Sequence, residues 1–131
     1  MKRMFLCFNH ELTREQIQDA KRNLNIDEFI HLPSRLKKLW QNIPPDLLDI
    51  SSYLKPIIDW LKTKTREGDL ILVQGDFGAT YLIVQFAFKE GLIPVYATTK
   101  REVIEKKMPD GKVEMIHQFR HVIFRRYRQL P

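Results

Sequence analysis

The chain has 131 residues, 44% hydrophobic and 29% charged, which fits one soluble globular domain spanning 1–131 with a real core. Its lone Cys7 excludes an internal disulfide and a cysteine-based metal site, and a reducing cytosol fits. No apolar run approaches the roughly 20 residues of a membrane span, and the net charge of +6 is uneven, with nine Lys/Arg against four Asp/Glu in residues 98–131 but thirteen against twelve in 1–97. That excess suggests a polyanion partner, phosphate being the obvious one. The bland alternative is a solvated basic tail.

Arg3 to Phe8 reads as a first strand. Met1-Lys2-Arg3 followed by an apolar stretch imitates a signal peptide, but the stretch is too short. Thr13 caps the helix that follows, with Gln16 completing a capping box. Ile17, Ala20 and Leu24 follow at helical spacing. Glu28 to Leu32 is a short second strand. Pro33 opens a helix carrying Leu36, Leu39 and Trp40, and Ile43-Pro44-Pro45 ends it.

A third helix is expected from about Ser52 to Arg66, with Leu54, Ile57, Ile58 and Leu61 as its stripe. Pro56 is tolerable there only near the first turn, and Gly68 closes the helix. The run Leu70 to Val73 reads as a buried parallel strand within 70–74. The helix from about Phe77 to Glu90 is apolar on nearly all sides, which predicts a central, well-covered position. Gly91 stops it. Ile93 to Ala97 is a fourth strand, with Thr98-Thr99-Lys100-Arg101 leaving its carboxyl end. Pro109-Asp110-Gly111 then turns a long hairpin, Arg101–Met108 against Lys112–Tyr127. The apolar phase of the second arm changes, and a bulge near Arg120–His121 reconciles the two halves. The expected fold class is α/β: a Rossmann-like, mostly parallel sheet flanked by helices, with a C-terminal β-hairpin.

The chemistry centres on Gly75-Asp76-Phe77-Gly78-Ala79-Thr80. A turn at the carboxyl end of a strand and the amino end of a helix presents free amides and a favourable dipole to an anion. It lies at the sheet edge where open α/β sheets bind ligands. It lacks the Gly-Lys-Ser/Thr ending of a P-loop and the third glycine of a dinucleotide fingerprint. The competing reading is a turn that needs glycine for its backbone angles. Asn9 and His10 leave the first strand at the same edge, and His10 can serve as a general base or a hydrogen-bonding group. Thr98, Thr99, Lys100 and Arg101 add two hydroxyls and two cations. His117 and His121 share a phase in an unbulged strand, but no third metal ligand is evident. Asp59, Glu67 and Asp69 read as helix-surface or turn charges.

Four segments in order carry a resemblance. They are Phe5-Leu6-Cys7-Phe8-Asn9-His10-Glu11-Leu12-Thr13, Val73-Gln74-Gly75-Asp76-Phe77-Gly78-Ala79-Thr80, Ile93-Pro94-Val95-Tyr96-Ala97-Thr98-Thr99-Lys100-Arg101 and Phe119-Arg120-His121-Val122-Ile123-Phe124-Arg125. Over essentially its whole length the chain resembles small type III CRISPR-associated accessory proteins of the Csx type, most closely the Csx family numbered twenty. That resemblance implies a CARF-like fold and a cytoplasmic ring nuclease that cleaves cyclic tetra-adenylate, switching off type III CRISPR signalling. It also implies a homodimer with the ring across the two-fold axis. A non-cleaving binder of the same ligand is the alternative. Neither a cofactor, a metal nor a stable DNA partner is expected. For catalysis the chemistry of the residues nominates His10, Lys100, Arg101 and His121. For ligand binding it nominates Asn9, Gly75, Asp76, Phe77, Gly78, Thr80, Thr98, Thr99 and Arg120.

Overall fold

A computed structural model describes residues 1–131. Its elements are β1 (Arg3–Cys7), α1 (Arg14–Asn23), β2 (Glu28–His31), α2 (Ser34–Gln41), α3 (Ser51–Lys64), β3 (Leu70–Val73), α4 (Phe77–Lys89), β4 (Ile93–Lys107) and β5 (Val113–Arg126). They form one five-stranded sheet in the order β2-β1-β3-β4-β5. The first four strands run parallel and β5 is antiparallel to β4. The α/β class, the mostly parallel sheet with flanking helices and the C-terminal hairpin all agree with the sequence reading.

Alternation within the short strands explains the two layers. Phe5 and Cys7 of β1, with Ile71 and Val73 of β3, face the larger core against Leu36, Trp40, Leu54, Ile57, Leu61 and Ile83. Met4, Leu6, Leu70 and Leu72 face the other way, against Ala20 of α1, Ile26 and Val95. A strand covered on both sides must be apolar at every position, which is why these runs are continuous. Cys7 is fully buried, and that burial pushes its thiol up to about 12, so it stays protonated and unreactive.

The capping box at Thr13 is formed in both directions. Several local expectations are corrected. Pro56 stands in the second turn of α3; Ser52, whose carbonyl forgoes its helical bond there, is exposed. Gly68 does not close α3, whose cap is the extended Thr65. It adopts φ +90° in the turn before β3. Asp69 is no surface charge: it is buried and takes both Nε and Nη2 of Arg3.

Helix α4 is not well covered. Phe77 and Tyr81 are 95% and 64% exposed, because the core buries the face carrying Ala79, Ile83, Phe86 and Ala87, with Leu82 and Val84 at its margins, and leaves the opposite face open. Strand β4 also does not end at Ala97. It pairs with β3 only as far as Val95 and then continues against β5 to Lys107. The bulge lies on β5 at Val122–Ile123, opposite Thr98 and directly beyond His121, near where the apolar phase change placed it. There the register steps from Ala97↔Phe124 to Thr99↔His121, and the Thr98 hydroxyl bonds both the N–H and the carbonyl of Ile123.

Candidate functional site

Because β1 connects to β2 on one side and lies beside β3 on the other, the strand order reverses between β1 and β3. A crevice opens outside the carboxyl ends of parallel strands at such a point. Here Phe8, Asn9, His10, Gln74 and Gly75 line a cleft of about 200 Å³. It shares Gln74 and Gly75 with a second cleft of about 290 Å³, completed by Phe77, Thr80, Tyr96 and Tyr127. On the other side it shares Phe8 and His10 with a groove of about 670 Å³ between the β1–α1 loop and the β4–β5 ribbon, reached by Thr99, Phe119, Arg120 and His121. The three make one furrow along the sheet edge, with His10 at its centre.

Gln74 builds this edge. Its side-chain oxygen accepts from Ala97 N at 2.7 Å, just past the last β3–β4 ladder pair, and its carbonyl accepts from Trp40 Nε1 at 3.1 Å. Tyr127 closes the far end, donating its hydroxyl to the Val73 carbonyl at 2.7 Å. Its ring lies 4.8 Å from that of Tyr96, and Arg125 stands over Tyr96 and bonds its hydroxyl. An aromatic end with exposed Phe77 beside it suits a flat base. Two buried oxygens of the furrow residues, Asn9 Oδ1 and Thr80 Oγ1, have no hydrogen-bond partner within the protein.

Burial raises the Tyr127 phenol above its ordinary value, with Tyr96 adding to it. The folded chain therefore holds this proton to higher pH than the unfolded chain. That stability is fully present below pH 10 and is lost as pH rises through the raised value. Tyr127→Phe should cost about 1 kcal/mol at pH 7, the lost hydrogen bond to Val73. The gap to wild type should narrow above pH 10, and urea midpoints measured at pH 7 and 10.5 check it.

The turn glycines have different jobs from those expected. Neither Gly75 nor Gly78 has positive φ, so backbone angles do not require either. A Cβ on Gly75 would stand 2.9 Å from Trp40 Cζ2, so this glycine admits the indole. One on Gly78 would make only ordinary contact, 3.4 Å from Ile50 Cδ1. Asp76 caps α4 by accepting from Ala79 N, leaving the first-turn amides of Phe77 and Gly78 for another acceptor. Gly75→Ala should therefore lose about 1–3 kcal/mol by displacing Trp40. Gly78→Ala should be neutral or gain up to ~1 kcal/mol. Thermal melts with Trp fluorescence distinguish the two, and Gly78→Ala is the clean probe of anion contact.

The catalytic nominees are separated. His10 is exposed in the furrow, its ring edge-on to Phe8 at 5.6 Å. His121 is 5% exposed at its side chain, and its Nε2 lies 2.7 Å from Asp19 Oδ2 of α1. Its Nδ1 is buried without a partner, so this ring serves first to tie the ribbon to α1. Lys100 and Arg101 do not leave a strand end: they sit inside β4, opposite Arg120 and Phe119. Arg101 reaches His117 Nδ1 at 3.1 Å, which engages both in a cross-strand pair. Thr98 is committed to the bulge, whereas Thr99 and Arg120 line the large groove. Arg120 also faces Glu15 and Glu102 at 3.8 and 3.7 Å. In the same groove, a hydrogen bond from Lys37 holds the Glu11 carboxyl below its usual range. No group of three or more His, Cys, Asp or Glu side chains is placed to hold a metal.

Sequence reasoning missed Gln74, Tyr96, Tyr127 and Asp19. A polar residue between an apolar strand and a glycine was the only available signal for Gln74. Tyr96 lies on β4 and Asp19 on α1, and it is β5 that brings Tyr127 to the first and His121 to the second. No helix is long and apolar enough to cross a membrane.

No solved structure matches this chain. A Methanocaldococcus jannaschii protein, described as uncharacterized protein MJ1673, is 52% identical over 127 residues, covering 97% of this chain and 98% of that one. The family described as the uncharacterized protein MJ1673 family matches residues 2–125, a span that takes in every helix, every strand up to the last residue of β5, and all the furrow residues except Tyr127. The chain therefore belongs to the MJ1673 family.

Proposed function

We propose that this protein is a ring nuclease that binds cyclic tetra-adenylate in the furrow and opens it, as the resemblance to Csx-type CRISPR accessory proteins implies. The observation that carries the proposal is the furrow at the β1/β3 switch point. It combines a helix amino end, two unpartnered buried oxygens, an aromatic end and one exposed histidine. Phosphate suits the Phe77 and Gly78 amides, and adenine suits the Tyr96–Tyr127 end.

In the reaction, a ribose 2′-oxygen attacks the adjacent phosphorus and the bond from phosphorus to the next 5′-oxygen breaks. The products are a 2′,3′-cyclic phosphate and a 5′-hydroxyl. The proton lost by the 2′-hydroxyl equals the one gained by the leaving oxygen, so no redox partner enters the balance. His10 takes or returns that proton. The furrow contributes by holding the 2′-oxygen, phosphorus and leaving oxygen in line.

A second reading, binding without cleavage, is favoured by one observation. Of the four catalytic nominees only His10 is an exposed, uncommitted group in the furrow, since Arg101 and His121 are paired and Lys100 lies outside it. Radiolabelled cyclic tetra-adenylate, incubated with excess protein in EDTA and resolved by chromatography, separates the readings. Linear products with cyclic phosphate ends establish cleavage. A bound ring that stays intact, with or without added manganese, establishes the binder, and absence of binding overturns both.

A further inference from the structure

Strand β5 is the edge of the sheet, and its outer side has no strand beside it along its whole length. Beyond Val95 the β4–β5 pair has no third strand, and it runs on for roughly 40 Å at ~3.3 Å per residue. Two-stranded ribbons are marginal in water, and long apolar edges invite pairing. This ribbon exposes Val103, Val113, Met115 and Phe119 by 50–72%. Its outer part is not a polyanion arm: residues 102–118 carry three lysines against four carboxylates. The basic excess lies at its base, in Lys100, Arg101, Arg120, Arg125, Arg126 and Arg128.

The uninterrupted register of β5 runs from Val113, where the strand begins, to His121, where the bulge intervenes. Its midpoint is His117. Within those residues only Glu114 and Arg120 carry formal charge. They have opposite signs and lie three residues either side of His117. We infer that β5 pairs antiparallel with β5 of a second copy, the two-fold axis passing through His117. Glu114 then faces the partner's Arg120, and Met115 faces the partner's Phe119. The symmetry admits only registers centred on a residue, since otherwise the side chains of facing residues would lie on opposite sides of the sheet. Centring on Ile116 sets Lys112 against Arg120, and centring on Gln118 sets Ile116 against Arg120. Only the His117 register sets Glu114 and Arg120 against each other, adding a third carboxylate to the Glu15 and Glu102 that Arg120 already faces.

The inference stands on the ribbon alone. Joined to the proposed function, it explains how one ring meets two chains. Gln118, Phe119 and Arg120 line the 670 Å³ groove within three residues of the axis, so both grooves open beside the same two-fold.

The test is His117→Cys in the full chain under mild oxidation, without ligand. Facing residues on paired strands have Cα atoms about 4.5–5.5 Å apart, within disulfide range, and buried Cys7 does not compete. Efficient cross-linking of His117→Cys is expected, and none of Met115→Cys. In sedimentation, Glu114→Arg and Arg120→Glu should each weaken the dimer at least tenfold, and the double swap should restore it. A monomeric wild type at 100 µM overturns the inference. So does equal cross-linking of both cysteine variants, or a double swap that fails to rescue. Ring binding by a monomer would leave the proposed function standing and sink this interface alone.

Discussion

Asp69→Ala is expected to lose about 3–5 kcal/mol of folding stability, the usual effect of removing one partner of a buried ion pair. Arg3 and Asp69 are only 11% and 10% exposed at their side chains. The carboxylate accepts two bonds from the guanidinium and one, at 2.7 Å, from the Arg66 amide. Removing it strands a cation between β1 and the turn before β3. Against a total of about 5–15 kcal/mol for a domain, that is a large share. Urea denaturation with an unchanged slope should show it. Replacing both partners with apolar residues of similar volume should recover most of the loss, because the pair itself contributes little net stability once its desolvation is counted. A loss below ~1 kcal/mol would mean that water reaches the pair. The pair sits at the opposite end of the strands from the furrow, so ligand affinity of the folded fraction should not change.

His10→Ala should slow ring opening by about 10²–10⁴-fold, the usual contribution of one positioned acid or base. Binding should change far less, since the amides of Phe77 and Gly78, the two unpartnered oxygens and the tyrosines remain. Single-turnover rates and equilibrium binding on the same preparation separate these quantities. Equal losses in both would make His10 a ligand contact. An unchanged rate would move the proton transfer elsewhere, with His121 next to be tested. Because His10 is exposed and packs only edge-on against Phe8, the variant should fold as the parent does.

Much of the fold was legible because its signals are local. The capping box at Thr13, the continuous apolar runs of β1 and β3 and the Pro109-Asp110-Gly111 turn each depend on residues within a few positions of one another. The adjacency of β1 and β3 puts His10 in one cleft with Gln74 and Gly75, at the sheet edge the sequence indicated. The errors arose where a distant segment decides the outcome. Helix α4 looked well covered because its composition is apolar on nearly all sides, but only the packing of α3 and the sheet determines which of its faces is buried. Gly75 does line the furrow, but its missing Cβ also makes room for Trp40, thirty-five positions earlier in the chain, and no local pattern shows that second job.

The sequence by itself determined the α/β class, the succession of elements and the sheet edge along which the furrow runs, because periodicity, caps and turns are written in neighbouring residues. Tertiary structure alone decided which candidate side chains share that edge. Thr98, Lys100 and Arg101 were expected to leave a strand end, but β5 pairs with them and extends β4 through them. The one-residue bulge at Val122–Ile123 then sets which residues of β5 face α1, bringing His121 to Asp19 across about a hundred positions of chain. Register between strands is fixed by contacts between segments, and no local pattern contains it.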